Sequence, residues 1–245
     1  MMYRIEKVLN HNTVMAIHQD DHKEVLIMGK GVGFGRKVAE RIEVRPEDRL
    51  YSLQKYKERG GAKEIVKSIA PEFLEVTNAV LDEAEKIFGK IDRMVLFPLA
   101  DHIAFAVKRI QNHEQISNPL TEDIRVLFHM EFKAAESIRP LLQKQFGIDI
   151  EDDEVGYVAL HIHSAIEDEK VSQAMQMARS VRECISMVEE AIGKPIDIAS
   201  LSYNRLMNHI RYMVARALSG EKLKVNMNCL LYTSPSPRDG ATSRM

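Results

Sequence analysis

The chain has 245 residues, 45% hydrophobic and 29% charged. That is enough apolar matter for a buried core and too much for one small domain, so two or three compact units are expected, and disordered or collagen-like classes are excluded. No window nears the roughly 18 uninterrupted apolar residues of a membrane span, residues 1–6 lack the apolar core of a signal peptide, and Cys184 and Cys229 each stand alone. The expectation is a cytoplasmic protein with no membrane insertion, disulfide framework, metal site or cofactor. The net charge of -2 hides a mildly basic head, since residues 1–60 carry 12 Lys+Arg against 9 Asp+Glu while the remainder carries 22 against 27. An excess of three is compatible with a nucleic-acid contact and does not establish one.

Residues 1–60 read as a small antiparallel sheet. Runs at 3–9, 13–18 and 23–28 are short and rich in β-formers, with Asn10-His11-Asn12 and Gln19-Asp20-Asp21-His22 as turns. Residues 41–45 and 50–53 supply further strands. One sheet of this size has a thin core, and pairing with a second copy is the expected remedy. After Gly60-Gly61 the period becomes helical: two stretches divided at Pro71 and ending at Gly89, then 94–109, one long stretch at 121–146, and 155–166 opened by the acidic run Glu151-Asp152-Asp153-Glu154. That run fits a helix N-terminus, where negative charge meets the dipole. A second bundle is expected from Val171, with helices at 172–192 and 198–218. Its His209-Ile210 with Tyr212 echoes His102-Ile103 with Phe105, the aromatic three residues beyond the histidine each time, which suggests a tandem repeat. Residues 229–245 have no helical period, gather Ser, Thr, Pro and Gly, and read as a non-native tail.

The most specific local segment is Gly29-Lys30-Gly31-Val32-Gly33-Phe34-Gly35-Arg36-Lys37. It follows a strand, but its glycine spacing fits neither a dinucleotide loop nor a P-loop. Four glycines permit close backbone approach, Phe34 can stack on a base, and Lys30, Arg36 and Lys37 can meet phosphates, which suits RNA. A plain glycine-rich hairpin loop with solvated charges is the alternative. Among nine histidines, His161 and His163 lie two apart in an expected helix and point about 200° from each other, so they cannot share an ion. His102 and His161 sit in apolar runs on different helices; each is either a packing residue or a nucleophile toward phosphate. Neither has a Ser or Cys placed for a hydrolase triad, and no catalytic residue is assigned.

Four segments occur together in order: Lys7-Val8-Leu9-Asn10-His11-Asn12, Gly29 to Gly35, Asp101-His102-Ile103-Ala104-Phe105-Ala106-Val107-Lys108-Arg109, and Gly156-Tyr157-Val158-Ala159-Leu160-His161-Ile162-His163-Ser164-Ala165. They resemble the bacterial BglG/SacY family of transcriptional antiterminators, most of all its glucose-responsive branch, over about residues 3–228. The resemblance implies a multidomain β plus all-α architecture. Residues 1–58 would form a dimerising co-antiterminator RNA-binding domain. Residues 62–168 would be a first phosphotransferase-system regulation domain, and 171–228 a second, incomplete one.

The resemblance further implies RNA contacts at Lys7, Asn10, Asn12, Gly29, Lys30, Gly31 and Phe34, and phosphate acceptance at His102, His161 and His209. The implied partners are a leader-RNA antiterminator hairpin, the phosphocarrier HPr, the EIIB domain of a sugar permease, and a second copy of the chain. The implied function is regulatory, not enzymatic. A phosphohistidine relay enzyme and a DNA-binding activator with the same regulation domains are the alternatives; the absence of a helix-turn-helix pattern in residues 1–60 speaks against the activator.

Overall fold

The computed structural model describes residues 2–54, 61–114, 116–167, 169–197, 200–218 and 220. The expected non-native tail and the head's boundary at residue 58 lie outside these described residues. The chain begins with β1 (Met2–Asn10), β2 (Thr13–His18), β3 (Glu24–Met28), β4 (Arg41–Glu43) and β5 (Arg49–Ser52). They form one antiparallel sheet in the order β4-β1-β2-β3-β5. The register of β1 on β2 runs from Tyr3 opposite His18 to Asn10 opposite Thr13, which leaves His11 and Asn12 as a two-residue turn.

Alternation along the strands gives the sheet two apolar faces. Val14, Ala16, Val25 and Ile27 share one face with Tyr3, Ile5 and Ile42, and Val32 of the glycine segment folds over it. Met15, Leu26 and Met28, with Tyr51 and Leu53, face the other way and belong to the core of the helical part. The thin sheet expected to need a second copy therefore finds cover for this face within its own chain.

The helices are α1 (Ala62–Ser68), α2 (Pro71–Phe88), α3 (Leu96–Gln111) entered through a 3-10 turn at Arg93–Val95, α4 (Thr121–Leu127), α5 (His129–Ala135), α6 (Ile138–Phe146), α7 (Asp152–Glu167), α8 (Val171–Ile192) and α9 (Leu201–Leu218). Pro71 occupies the first turn of α2, where its missing N–H goes unused, and Gly89 at φ 76° ends that helix. The single helix expected over 121–146 is three. Phe128, at φ -117° and ψ 46°, leaves helical geometry between α4 and α5, and Pro140 sits in the first turn of α6, where it starts a helix instead of continuing one. Apolar period alone cannot see such breaks, because all three pieces keep an inward face.

Helix α7 runs through the middle of the helical part, with Val155, Val158, Ala159, Leu160 and Ile162 buried against α4, α5 and α8. The stretch expected to open a second bundle is made of α8 and α9. Ala174, Ala178, Val181 and Ile185, spaced four, three and four apart, form the inward stripe of α8; Tyr203, Met207, Ile210 and Val214 do the same for α9, and all eight join the core of the preceding helices. No helix of the described residues is long and apolar enough to cross a membrane.

Candidate nucleic-acid interface and histidine site

The β1–β2 turn and the glycine segment are tied into one edge of the sheet. Asn10 Oδ1 accepts the Asn12 backbone N–H at 2.9 Å, an Asx turn, and Asn12 Oδ1 accepts the N–H of Gly31 at 2.9 Å. Gly29 N–H donates to the Asn12 carbonyl and Gly33 N–H to that of His11, both at 2.9 Å. A methyl group on Gly33 would collide with the Asn10 carbonyl, so that position requires glycine; Gly31 requires it for its φ of 71°. The edge is buttressed by Arg45, which holds the buried Asp48 carboxylate and donates to the Lys30 carbonyl at 2.8 Å.

This construction decides what the edge presents. The oxygens of Asn10 and Asn12 are used within the turn, so both Nδ2 donors point outward. In this structure they meet Glu75 of α2: Asn10 Nδ2 donates to Oε1 at 2.7 Å and Asn12 Nδ2 to Oε2 at 3.3 Å. Phe34 is 69% exposed, with its ring edge-on to His11 at 5.3 Å. Lys7, Lys30 and Lys37 are exposed, as is Arg36, which is engaged by Glu40 four residues on. Eight of the nine expected RNA-contacting positions thus lie on the turn and the glycine segment, while Lys7 lies within β1 opposite Met15. Sequence reasoning missed Glu75, Arg45 and Asp48; the i, i+3 spacing of Arg45 and Asp48 is a local signal for the latter pair, but nothing local marks Glu75.

His102 of α3 and His161 of α7 come together, their ring centroids 5.4 Å apart, on a cleft of about 940 Å³ that Asp101, Phe105 and Ser164 also line. His102 is half-buried, with Nε2 3.4 Å from Glu154 Oε2, and Arg109 Nη2 donates to Glu154 Oε1 at 2.5 Å. The acidic run at the start of α7 therefore does more than meet a dipole. Its Glu154 is buried in an ion pair, Asp153 accepts from Asn118 N–H and Thr121 Oγ1, and Asp152 holds Arg125 and Arg139.

His161 is buried, while Phe105 is 59% exposed and lies under the Arg109 guanidinium, 4.8 Å from its centre. Ile103 and Phe105 are two residues apart on a helix, so they cannot share a face. His163 points elsewhere, its Nδ1 3.0 Å from Glu131 Oε1, and His161 and His163 do not form a site, as their spacing required. Burial would raise Glu131, but the hydrogen bond to His163 holds it below the usual carboxylate range. Among the described residues no group of three or more His, Cys, Asp or Glu could hold a metal ion. His209 of α9 is exposed; Ile210 beside it is buried and Tyr212 is exposed, the same disposition as Ile103 and Phe105.

Burial, reinforced by His102, pushes His161 from the ordinary 6.5 down to about 3, so its ring is neutral at pH 7 and keeps a free lone pair. Between those values the unfolded chain binds a proton that the folded chain refuses. Stability should therefore be full above pH 6.5 and fall on acidification, by about 1.4 kcal/mol per unit where the difference is one whole proton. Melting temperatures from pH 7 down to 5 should decline more gently in His161→Gln than in the unaltered chain; parallel declines would mean that His161 is not the refused proton.

Residues 3–60 match the CAT RNA binding domain family and residues 78–165 the PRD domain family. The GlcA/glcB genes antiterminator of Staphylococcus carnosus is 30% identical over 228 residues, covering 91% of this chain and 79% of that protein. The PtsGHI operon antiterminator of Bacillus subtilis is 28% identical over 223 residues, with the same coverages of 91% and 79%. The crystal structure of GlcT CAT-PRDI superposes with a TM-score of 0.59 at 30% identity, covering 68% of this chain and 99% of that one.

Proposed function

We propose that this chain, which belongs to the BglG/SacY family of transcriptional antiterminators and to its glucose-type branch, clamps a hairpin in a nascent leader RNA with the β1–β2 turn and the glycine segment. Holding that hairpin prevents the competing terminator hairpin from forming. The observation that carries the reading is the built edge itself: two outward amide donors, an exposed aromatic and exposed lysines, all set by one hydrogen-bonded turn. Amides and an aromatic recognise unpaired bases, while lysines meet phosphates. The active form in this reading is a homodimer of heads, in the compartment where transcripts are made, and the chain is a regulator, not an enzyme. In a gel shift the full chain should bind a bulged stem–loop RNA more tightly than duplex DNA of the same length, and the affinity should fall as salt rises. Equal affinity for both would sink the proposal.

Regulation comes from phosphorylation by the sugar phosphotransferase system. We assign acceptance to His102 and His161, with HPr and the EIIB domain of a sugar permease as donors, and a third acceptor at His209. Both rings line one cleft, through which a donor would have to reach them, and a neutral ring such as that of His161 keeps the lone pair that attacks phosphorus. A phosphoryl group on His102 adds nearly two negative charges next to Glu154 and competes with it for Arg109, so modification at the cleft is felt at the start of α7. The buried Ile210 and exposed Tyr212, disposed as Ile103 and Phe105 are, support reading residues 171–228 as part of a second regulation domain after the first, at 62–168. Incubation with phosphorylated donor proteins should label the chain with acid-labile, base-stable phosphate. His102→Ala with His161→Ala should remove the label from peptides of α3 and α7 and leave that on α9. Full labelling of α3 and α7 in the double variant would return both histidines to a packing role.

A further inference from the structure

Helix α2 turns a polar stripe toward the head. Glu75, Asn78, Asp82 and Glu85 fall three, four and three residues apart, one face of a helix, and each meets a head residue. Asn78 Oδ1 accepts from Tyr51 Oη at 2.6 Å, Asp82 and Glu85 accept from Arg49 at 3.0 and 2.9 Å, and Glu75 takes both outward amides of Asn10 and Asn12. A cleft of about 400 Å³ runs between this stripe and the glycine segment, with Lys30 on its far wall. The head lies against the helices through Met15, Leu26, Met28 and Leu53 as well, so the contact is part of a packed core.

Within this stripe Glu75 offers the head what a nucleic-acid strand would offer, acceptor oxygens for two amide donors on a cleft that Lys30 also lines, while Asp82 and Glu85 are paired with Arg49 and Arg93. We propose that Glu75 is an internal competitor for the RNA-contacting edge, so that α2 and RNA are mutually exclusive occupants of Asn10 and Asn12. This rests on the edge being the RNA site. In the closed arrangement the donors of Asn10 and Asn12 are spent on Glu75, and RNA must displace that carboxylate before it can reach them. The apparent RNA affinity is then the intrinsic affinity reduced by the fraction of chains that are open. Weakening the α2 contact raises that fraction. A signal that loosens the helical part reaches the RNA edge by the same route, because α2 also packs on α3, which bears His102.

The test is equilibrium binding of the full chain to a bulged stem–loop RNA. Glu75→Ala should tighten binding roughly five- to tenfold, and Glu75→Gln, which keeps one acceptor oxygen and loses the charge, should fall between it and the unaltered chain. Glu83→Ala removes the same charge from the same helix where it faces Lys86 in solvent, and should change affinity less than about twofold. Melting curves exclude unfolding as the cause of any change. If Phe34→Ala weakens binding while both Glu75 variants bind as the unaltered chain does, the edge is the RNA site and the competitor proposal is overturned. If neither the unaltered chain nor any variant binds the RNA, the reading of the edge falls, and the proposal with it.

Discussion

Glu154→Ala is expected to destabilise the helical part by about 3 kcal/mol, the low end of the range for breaking one partner of a buried ion pair. Glu154 is 5% exposed at its side chain and Arg109 17%, so removing the carboxylate leaves a guanidinium with little water to replace it. The low end applies because Arg109 retains the face of the Phe105 ring and some solvent. A compensating pair gives the sharper check: Glu154→Leu with Arg109→Met removes both charges at similar volume and should recover most of the loss. Urea unfolding reads both values. A loss below about 1 kcal/mol in Glu154→Ala would show that the pair is solvated in solution, and the coupling drawn between a His102 phosphate and α7 would lose its basis.

Phe34→Ala is expected to weaken RNA binding by about 1–3 kcal/mol, roughly five- to 150-fold, because a base stacked on the ring loses its platform. The ring is 69% exposed and, among the described residues, meets His11 edge-on as its one aromatic neighbour, so the stability of the fold should change by less than about 0.5 kcal/mol. That contrast identifies the residue as a contact: a packing residue would lose stability and binding together. Lys30→Ala, by comparison, should lower both affinity and its salt dependence, since it removes a phosphate contact instead of a stack. Unchanged affinity in Phe34→Ala would falsify the assignment of the glycine segment to RNA.

Much of this protein is legible from residue order. Alternating apolar positions predict the five strands to within two residues at each end, because each strand buries at least one face wherever its neighbours lie. The glycines of residues 29–35 mark the edge because their need for close approach and positive φ is local. His161 and His163 could be separated by helical geometry alone. Pairings between distant residues could not be seen. That Glu75 faces Asn10 and Asn12, that Glu154 is drawn inward between Arg109 and His102, and that α8 and α9 share the core of the earlier helices all depend on packing. Periodicity specifies which face of a helix is apolar and is silent about which element will cover it. A carboxylate such as Glu75 or Glu154 reads as solvated until its partner's position is known, since its energy is set by distance and burial, and both arise only when the chain has folded.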